Sequence, residues 1–434
     1  METVIIGAGW AGLAAAVELS RHNHNVTVLE SGPQPGGRAR RITHHEYQVD
    51  NGQHLMIGAY RHVLEILDII GVDRDRVLQR QPLNLVIRSS PRQSLVLRAG
   101  KWRAPWHLFS ALLGARGLSW RERGQALRFC RRLVKPPGAD MPVLTAARQA
   151  GQSDALIRQL WQPLCLAMLN TAVHEASLIV FRRGLLDSFM HDRHDCEPLY
   201  ARVDLGTLFP EPCRHYIEAR GGHFLPGQRV TSITLDHDRV CHVTVNDRER
   251  VEADHYILAV PPVSARRLLA PHERFSTLTA QLDQFEMAPI CTVYLQYPAH
   301  VTLDLPMIGL VGGHAQWLFD RGLTRQPGLM AAVISGAGPH MALDNDQLLQ
   351  TVRDELAAQF PDWPDASHGF VVREKRATFI SRVGINDIRP AAQTAAANLW
   401  LAGDFINTGY PATLEGAVIS GLRCARQLLA QSPA

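Results

Sequence analysis

The chain has 434 residues, a formal net charge of +4 and 46% hydrophobic residues. That length is too great for one ordinary domain and sufficient for two with large cores. Its seven cysteines are scattered and include no CxxC pair, which excludes a zinc site or a disulfide framework and predicts reduced thiols in a cytoplasmic protein. No apolar run is long enough for a spanning helix, and the first residues carry no secretory signal pattern.

The first 30 residues predict a dinucleotide-binding unit. Val4–Ile6 form a candidate strand that runs into a glycine turn and an apolar helix pattern, and the next strand ends at Glu30. Gly7 permits the tight turn, Gly9 lets the backbone approach a pyrophosphate, and Gly12 lets the helix pack closely on the sheet. Glu30 is placed to accept hydrogen bonds from the ribose hydroxyls of an adenosine.

The segment after Glu30 favours FAD over NAD as the dinucleotide. It contains a second glycine pair followed by arginine, Gly36-Gly37-Arg38. This sequence resembles the GG motif of the amine oxidase and phytoene desaturase flavoproteins, in which the loop lies along the FAD diphosphate. Arg38 would then hold phosphate. The alternative is a solvated basic turn.

The C-terminal segment supports the flavin interpretation. A candidate buried strand at 399–402 precedes Gly403-Asp404, and Glu415-Gly416-Ala417 begins an apolar helix pattern. The arrangement resembles the closing FAD motif of the same superfamily, where the GD pair reaches the ribityl–phosphate region and the helix is aimed at the isoalloxazine. Glu415 is also explained as a first-turn acid favoured by the helix dipole.

These segments predict an α/β fold in which a discontinuous, Rossmann-like FAD-binding domain carries an inserted α+β substrate domain, as in the amine oxidases. The FAD-binding domain comprises residues 1–85, 205–270 and 386–434, and the substrate domain comprises 86–204 and 271–385. A helix over 206–220, a hairpin over 229–245 and a buried strand over 256–260 resemble the middle FAD segment of the superfamily. That resemblance places the backbone of Val230 against the adenine.

Cationic and aromatic residues are concentrated between Arg98 and Lys135. Tryptophans beside arginines on amphipathic helices suit a membrane interface with anionic lipids, and would place the protein on the cytoplasmic membrane face. An ordinary helix pair with one wet face explains the same pattern. No nucleic-acid-binding module accompanies the patch.

A narrower resemblance is carried by three segments. They are Asp50-Asn51-Gly52-Gln53-His54-Leu55, the stretch from Trp102 to Glu122, and Trp161-Gln162-Pro163-Leu164 with Leu169-Asn170-Thr171. In these the chain resembles the hydroxysqualene dehydroxylase family, the squalene-associated FAD-dependent enzymes of bacterial hopanoid biosynthesis. The resemblance implies a long isoprenoid substrate that loses an allylic hydroxyl and receives a hydride, yielding squalene.

Two residues are candidates for the acid that this chemistry needs. Hydroxide departs poorly unless it is protonated, and a buried carboxyl keeps its proton near neutral pH. Asp50 and His54 flank the loop that follows the FAD-binding turn, so they are the predicted catalytic residues. The alternative is that Asp50 caps the turn and that both residues only position the cofactor. No residue pattern predicts a metal site.

Three other functions fit parts of the pattern. A carotenoid or other isoprenoid desaturase would run the flavin in the oxidising direction, and a flavin-binding membrane scaffold would turn over no polyprenyl substrate. An amine oxidase is disfavoured because the candidate strand Ile290–Leu295, where those enzymes carry a lysine that holds water against the flavin, has none. No second dinucleotide-binding unit identifies the electron donor.

Overall fold

The computed structural model describes residues 1–431 and contains twenty strands in these residues. The strands are β1 (Glu2–Ile6), β2 (Asn25–Glu30), β3 (Arg41–His44), β4 (Tyr47–Asp50), β5 (Met56–Ile57), β6 (Leu78–Arg80), β7 (Asn84–Ser90), β8 (Gln93–Arg98), β9 (Pro198–Ala201), β10 (His223–Pro226), β11 (Val230–Asp236), β12 (Arg239–Val245), β13 (Glu249–Glu252), β14 (His255–Leu258), β15 (Met287–Gln296), β16 (Met307–Leu310), β17 (Trp317–Asp320), β18 (Leu329–Ser335), β19 (His368–Phe379) and β20 (Leu399–Leu401).

Helices connect and cover the sheets. They are α1 (Trp10–Arg21), α2 (Arg61–Ile69), α3 (Arg74–Val77), α4 (Trp106–Leu113), α5 (Trp120–Val134), α6 (Val143–Gln149), α7 (Asp154–Leu156), α8 (Gln162–Leu169), α9 (Leu178–Phe189), α10 (Leu205–Leu208), α11 (Pro210–Glu218), α12 (Pro262–Leu269), α13 (Ser276–Asp283), α14 (Asn345–Gln359), α15 (Ile385–Ile388) and α16 (Leu414–Gln431). A π-helical turn over Ile157–Trp161 joins α7 to α8. Short 3₁₀ helices lie at Arg193–Cys196, Glu273–Phe275, Arg321–Thr324 and Pro339–Ala342.

A five-stranded parallel sheet, in the order β10-β2-β1-β14-β20, organises the N-terminal unit. Neighbouring residues of a strand point to opposite faces, so Ile5 packs with α1 and α16 whereas Val4 and Ile6 face the other core. Helices α1 and α16 approach so closely that a Cβ on Gly421 would lie 2.1 Å from the carbonyl oxygen of Ala11. Only glycine fits there.

A seven-stranded sheet, in the order β19-β15-β18-β17-β16-β7-β8, forms the second layer. Its pairs are antiparallel except β7 with β16. One face of β15 and β18 packs on α14, and the opposite face lines a large cavity. The α/β architecture predicted from the sequence is confirmed.

Two strands do not respect the predicted domain limits. Strand β7 begins at Asn84 and so spans the limit between residues 85 and 86. Strand β9 lies in the predicted substrate domain but pairs with β5 and β6 of the first predicted FAD-binding segment. The helix predicted over 206–220 is divided into α10 and α11. Its break lies at Phe209, whose φ of −136° and ψ of −56° are non-helical because Pro210 follows and starts α11.

Candidate active site

One cavity of about 1040 Å³ runs from the glycine turn after β1 to the helices that follow β8. At one end it is lined by backbone and polar groups of the first 60 residues and of the segment 403–417. At the other end leucines, Trp161 and Phe189 form an apolar wall. The cavity therefore has a polar half and an apolar half.

The glycines of the turn have three different roles. Gly7 has a φ of +105°, and Gly12 packs so tightly that a Cβ there would lie 2.1 Å from the Gly7 carbonyl oxygen. A Cβ on Gly9, in contrast, would meet no protein atom within 4 Å. Gly9 therefore leaves space for a ligand at the N-terminus of α1. Because glycine provides no side-chain cap there, N–H groups of the first turn are left for a ligand.

Glu30 ends β2 at the cavity wall. Its carboxylate accepts hydrogen bonds from the amides of Ala8 at 2.8 Å and Gly32 at 2.7 Å. These two bonds fix the acid beside the glycine turn. Glu30 is the residue for which the sequence predicts a contact with the ribose.

The Gly36-Gly37-Arg38 loop lies against the glycine turn. Both glycines have positive φ, +117° and +60°, and the Gly36 amide donates to the carbonyl of Ala8 at 2.8 Å. Arg38 lines the cavity and donates to Asp404 Oδ1 at 2.7 Å and to the Ala377 carbonyl at 2.8 Å. The arginine is thus an internal link between distant segments of the chain and not a solvated turn residue.

The predicted closing motif is divided between the cavity and the core. Gly403, Asp404 and Ala417 line the cavity, and Gly416 packs against the Pro411 carbonyl. Glu415 does not line it.

The Glu415 carboxylate caps the N-terminus of α2. It accepts hydrogen bonds from the amides of His62 and Val63 at 3.0 Å and lies 2.7 Å from His62 Nδ1. This role differs from the predicted cofactor contact and arises because the helix α2 needs a partner for its free N–H groups. Val230 is likewise buried outside the cavity lining, which includes its neighbour Arg229.

Arg389 is a residue that the sequence analysis missed. It is buried and donates to the carbonyls of Asp404 at 2.9 Å, Ile406 at 2.5 Å and Tyr410 at 2.5 Å. Burial lowers the pKa of Arg389 to about 10. The guanidinium holds the loop that carries Gly403 and Asp404, a role for which a single arginine in sequence gives no signal.

Asp50 lies behind the cavity wall and does not line it. Its carboxylate accepts from Arg321 Nη2 at 3.0 Å and from the Leu205 amide at 2.8 Å. Burial raises the pKa of Asp50, and the attraction of Arg321 only partly opposes this shift. With both oxygens engaged by protein groups, Asp50 is placed to position the loop, and the geometry does not favour it as the proton donor predicted from sequence.

His54 does line the cavity. Burial lowers the pKa of His54 to about 4, with a further contribution from Arg38, so the imidazole is neutral near pH 7. Its Nδ1 lies 3.3 Å from the carbonyl of Gly52, which accepts only an N–H. The proton then resides on Nδ1, and Nε2 is an acceptor. A neutral His54 can orient a hydroxyl, whereas protonating one is disfavoured.

Glu374 is a second cavity residue that the sequence analysis missed. It belongs to β19, and its Oε2 accepts a hydrogen bond from Asn51 Nδ2 at 2.9 Å across 323 positions of sequence. The same amide group donates to the carbonyl of Arg38 at 2.9 Å. A contact this distant in sequence leaves no local pattern.

Helices α4 and α5 separate the apolar half of the cavity from solvent. Their inner residues Leu108, Leu112 and Leu133 line the cavity. Six large apolar side chains of this region are exposed at 39–75%, namely Trp102, Trp106, Phe109, Leu113, Trp120 and Val134. Eight cationic residues of the same region are also exposed, namely Lys101, Arg103, Arg116, Arg121, Arg128, Arg131, Arg132 and Lys135.

Among residues 1–431 no helix is long and apolar enough to cross a bilayer. Nor does any cluster of His, Cys, Asp or Glu in these residues have the composition of a metal site. The polar half of the cavity suits a dinucleotide instead, because Gly9 leaves its cradle open, the α1 N-terminus supplies N–H groups, and Glu30 lies at the adjacent strand end.

Comparison with known proteins identifies the class of this protein as a flavin-dependent oxidoreductase. Residues 10–429 match the family described as flavin containing amine oxidoreductase, so the chain belongs to this family. Among solved structures, an oxidoreductase from Methanosarcina mazei superposes with a TM-score of 0.77 at 15% identity, covering 99% of this chain and 100% of that one. Cyclohexylamine oxidase from Brevibacterium oxydans gives 0.72 at 16% identity, covering 99% of both chains. At these identities the superpositions establish the fold alone.

More specific similarity comes from curated relatives. A hydroxysqualene dehydroxylase of Rhodopseudomonas palustris is 30% identical over 98% of both chains, and one of Zymomonas mobilis is 28% identical over 99% of both. A zeta-carotene desaturase of Zea mays is 24% identical, covering 98% of this chain and 82% of that protein. The chain is therefore more similar to these dehydroxylases than to that desaturase.

Proposed function

We propose that this protein is an FAD-dependent hydroxysqualene dehydroxylase that converts hydroxysqualene to squalene by acid-assisted loss of the allylic hydroxyl and hydride transfer. The observation that carries the proposal is the cavity, whose polar half suits a dinucleotide and whose apolar half suits a long hydrocarbon. The similarity to full-length dehydroxylases supports it. Reduced FAD, when bound, supplies the hydride.

In the proposed complex the cofactor lies along the polar half of the cavity. The residues proposed to hold it directly are Gly7, Gly9, Glu30, Gly36, Gly37, Arg38, Gly403, Asp404 and Ala417. Gly12 and Gly416 support these segments through close packing, whereas Glu415 caps α2 and Val230 is buried beside Arg229, which lines the cavity. In this proposal the FAD-binding domain comprises residues 1–85, 205–270 and 386–434, and the substrate domain comprises 86–204 and 271–385. Strand β9 of the substrate domain packs on the FAD-binding domain.

Three features of the chain then serve the reaction. The apolar wall binds the hydrocarbon and excludes water, which would otherwise capture an allylic cation. Neutral His54 accepts a hydrogen bond from the substrate hydroxyl through Nε2 and orients it. Asp50 and Arg321 fix the loop that carries His54, because they anchor it to β4 and to the 3₁₀ helix at Arg321–Thr324.

The direction of electron flow distinguishes this function from an isoprenoid desaturase. Hydroxysqualene added anaerobically to pre-reduced protein should restore the oxidised flavin spectrum, whereas a desaturase substrate would bleach the oxidised form. An amine oxidase would form peroxide when an amine is added. Release of the cofactor by denaturation and its separation from FMN by chromatography tests whether it is FAD.

We further propose that the exposed face of α4 and α5 docks on an anionic membrane. Exposed aromatic and cationic side chains occur together on and beside these two helices, and other residues of the same helices line the cavity. A lipid-dissolved substrate would therefore reach the cavity from this side. Aromatic groups at headgroup level and arginines beside anionic lipid are typical of such surfaces.

Sedimentation with liposomes tests the docking surface. The wild type should pellet with anionic vesicles and be released by salt, and Trp102→Ala with Trp106→Ala should pellet less while it retains flavin. Val263→Ala with Met341→Ala removes two apolar side chains that are exposed at 46% and 39% elsewhere, and should bind like the wild type. Equal sedimentation of both double variants would contradict the assignment.

A further inference from the structure

The turn that follows α8 is connected to β15, β19 and the end of β18 through one amide side chain. Asn170 is buried, and its backbone has a φ of +49°. Its Oδ1 accepts a hydrogen bond from the amide of Gly336 at 2.7 Å, and its Nδ2 donates to the carbonyl of Pro289 at 3.2 Å and to Thr378 Oγ1 at 3.0 Å. A backbone N–H only donates and a carbonyl only accepts, so these partners fix which end of the Asn170 amide carries the hydrogens.

The Thr378 hydroxyl is left with a hydrogen that a cavity ligand can accept. Thr378 belongs to β19 and lines the cavity. A hydroxyl has two lone pairs and one O–H, and Asn170 donates to one of the lone pairs. Within residues 1–431 no acceptor receives the O–H of Thr378. Because Asn170 holds the oxygen as an acceptor, the hydrogen points away from Asn170 and remains available to a ligand.

Thr378 lies at the junction of the polar and apolar halves of the cavity. The residue before it, Ala377, accepts a hydrogen bond through its carbonyl from Arg38, which belongs to the loop proposed to lie along the cofactor. On the other side its partner Asn170 ends α8, whose residues 166–169 are apolar and line the cavity. A free O–H donor at this junction therefore faces the space where a cofactor and a hydrocarbon would meet.

The junction also contains an acceptor. Arg38 contributes to the lowered pKa of His54, so the guanidinium that is bonded to the residue before Thr378 also lies near this imidazole. Neutral His54 offers Nε2 as an acceptor, and Thr378 offers a donor. A hydroxyl buried among apolar groups is costly unless it is hydrogen-bonded, and an alcohol oxygen both donates and accepts. The pair suits the single hydroxyl of a long hydrocarbon.

We propose that Thr378 donates a hydrogen bond to the oxygen of the allylic hydroxyl and that Asn170 is the positioning residue for this bond. The proposal rests on the proposed function. Thr378 then distinguishes hydroxysqualene from squalene, because squalene has no oxygen to accept the bond. The bond also draws electron density from the C–O bond while the proton stays on Thr378. Its loss when squalene forms favours exchange of product for substrate.

Thr378→Val tests the assignment, since it removes the hydroxyl and keeps a β-branched side chain in the strand. The protein is prepared with oxidised flavin, so that no turnover occurs, and hydroxysqualene and squalene are each titrated in the same detergent by the change in flavin absorbance. The variant leaves the substrate oxygen without its donor, so binding of hydroxysqualene should weaken roughly 5- to 150-fold. Binding of squalene should not change. The ratio of the two dissociation constants is compared between proteins, because detergent partitioning then cancels.

Two control variants separate the Thr378 hydroxyl from its surroundings. Thr378→Ser keeps the O–H and should keep the wild-type ratio. Ser335→Ala removes another hydroxyl that lines the cavity, at the end of β18, and should also keep the wild-type ratio. The midpoint potential of the bound flavin should be the same in Thr378→Val as in the wild type, because the proposed bond is made to the substrate and not to the flavin.

An unchanged ratio in Thr378→Val, or equal weakening of both ligands, would overturn the assignment. So would a ratio that falls in Ser335→Ala instead. Loss of flavin or a shifted midpoint potential in Thr378→Val would also overturn it, since the hydroxyl would then serve the cofactor. Failure of hydroxysqualene to reoxidise the reduced wild type would refute the proposed function. A wild type that is reoxidised, together with an unchanged ratio in Thr378→Val, would refute only the role of Thr378.

Discussion

The substitution Gly9→Val tests whether Gly9 is needed for folding or for binding a ligand. Gly9 has φ −70° and ψ 172°, which any residue adopts, and its Cβ would meet no protein atom within 4 Å. Valine at a helix N-cap costs about 1 kcal/mol relative to better caps, which corresponds to roughly 2–4 °C in Tm for a domain of this size. The fold should therefore survive the substitution.

Binding of the cofactor, in contrast, should be lost in Gly9→Val. The valine side chain would occupy the space in front of the α1 N-terminus, where a pyrophosphate would take hydrogen bonds from backbone amides. Two such bonds to a charged group contribute about 1.5–3 kcal/mol each, so flavin affinity should fall roughly a hundredfold or more. Gly9→Val should purify colourless, with a circular dichroism spectrum close to that of wild-type apoprotein.

Two other glycines provide controls. A Cβ on Gly124 in α5 meets no atom within 4 Å, so Gly124→Ala should keep both fold and flavin. A Cβ on Gly12 lies 2.1 Å from the Gly7 carbonyl oxygen, so Gly12→Ala should lose fold and flavin together. Calorimetric titration of apoprotein with FAD measures the affinities. Wild-type affinity in Gly9→Val would refute the placement of the pyrophosphate at this turn.

Three further substitutions test other parts of the account. Glu30→Ala removes the acceptor proposed for the ribose and should weaken FAD binding about tenfold or more by titration, and unchanged affinity would count against that contact. Arg321→Met leaves Asp50 buried without its cation and should destabilise the protein by about 3–5 kcal/mol in urea unfolding, and a loss below about 1 kcal/mol would contradict the pairing. His54 has a folded pKa of about 4, below its ordinary 6.5, so the unfolded chain takes up the proton first and stability falls as pH drops through this interval. His54→Asn should therefore lose less Tm between pH 7 and pH 4.5 than the wild type, and an equal loss would contradict the burial of a neutral imidazole.

Local sequence was sufficient for the dinucleotide-binding unit. The turn at Gly7 requires positive φ, the contact at Gly12 requires the absence of a Cβ, and both requirements leave glycine at fixed spacing after an apolar strand. The adjacent acid Glu30 lies at the cavity because β2 pairs in parallel with β1. Strand periodicity likewise predicted β14, β15 and β20, apart from end positions.

Contacts between distant segments could not be predicted in this way. Asp50 was expected to face the reaction, but Arg321, 271 positions away, turns it into a buried anchor. Glu415 was expected at the flavin, but the free N–H groups of α2 engage it. The link between Asn51 and Glu374 depends on how β19 pairs with β15, a register that no local pattern specifies.

The reaction itself is tested most directly by a single-turnover experiment without oxygen. Protein whose flavin has been reduced photochemically is mixed with hydroxysqualene, and the flavin spectrum and the extracted hydrocarbon are followed together. The account predicts that one squalene appears for each flavin oxidised. A flavin that stays reduced, or that is oxidised without squalene being formed, would contradict it.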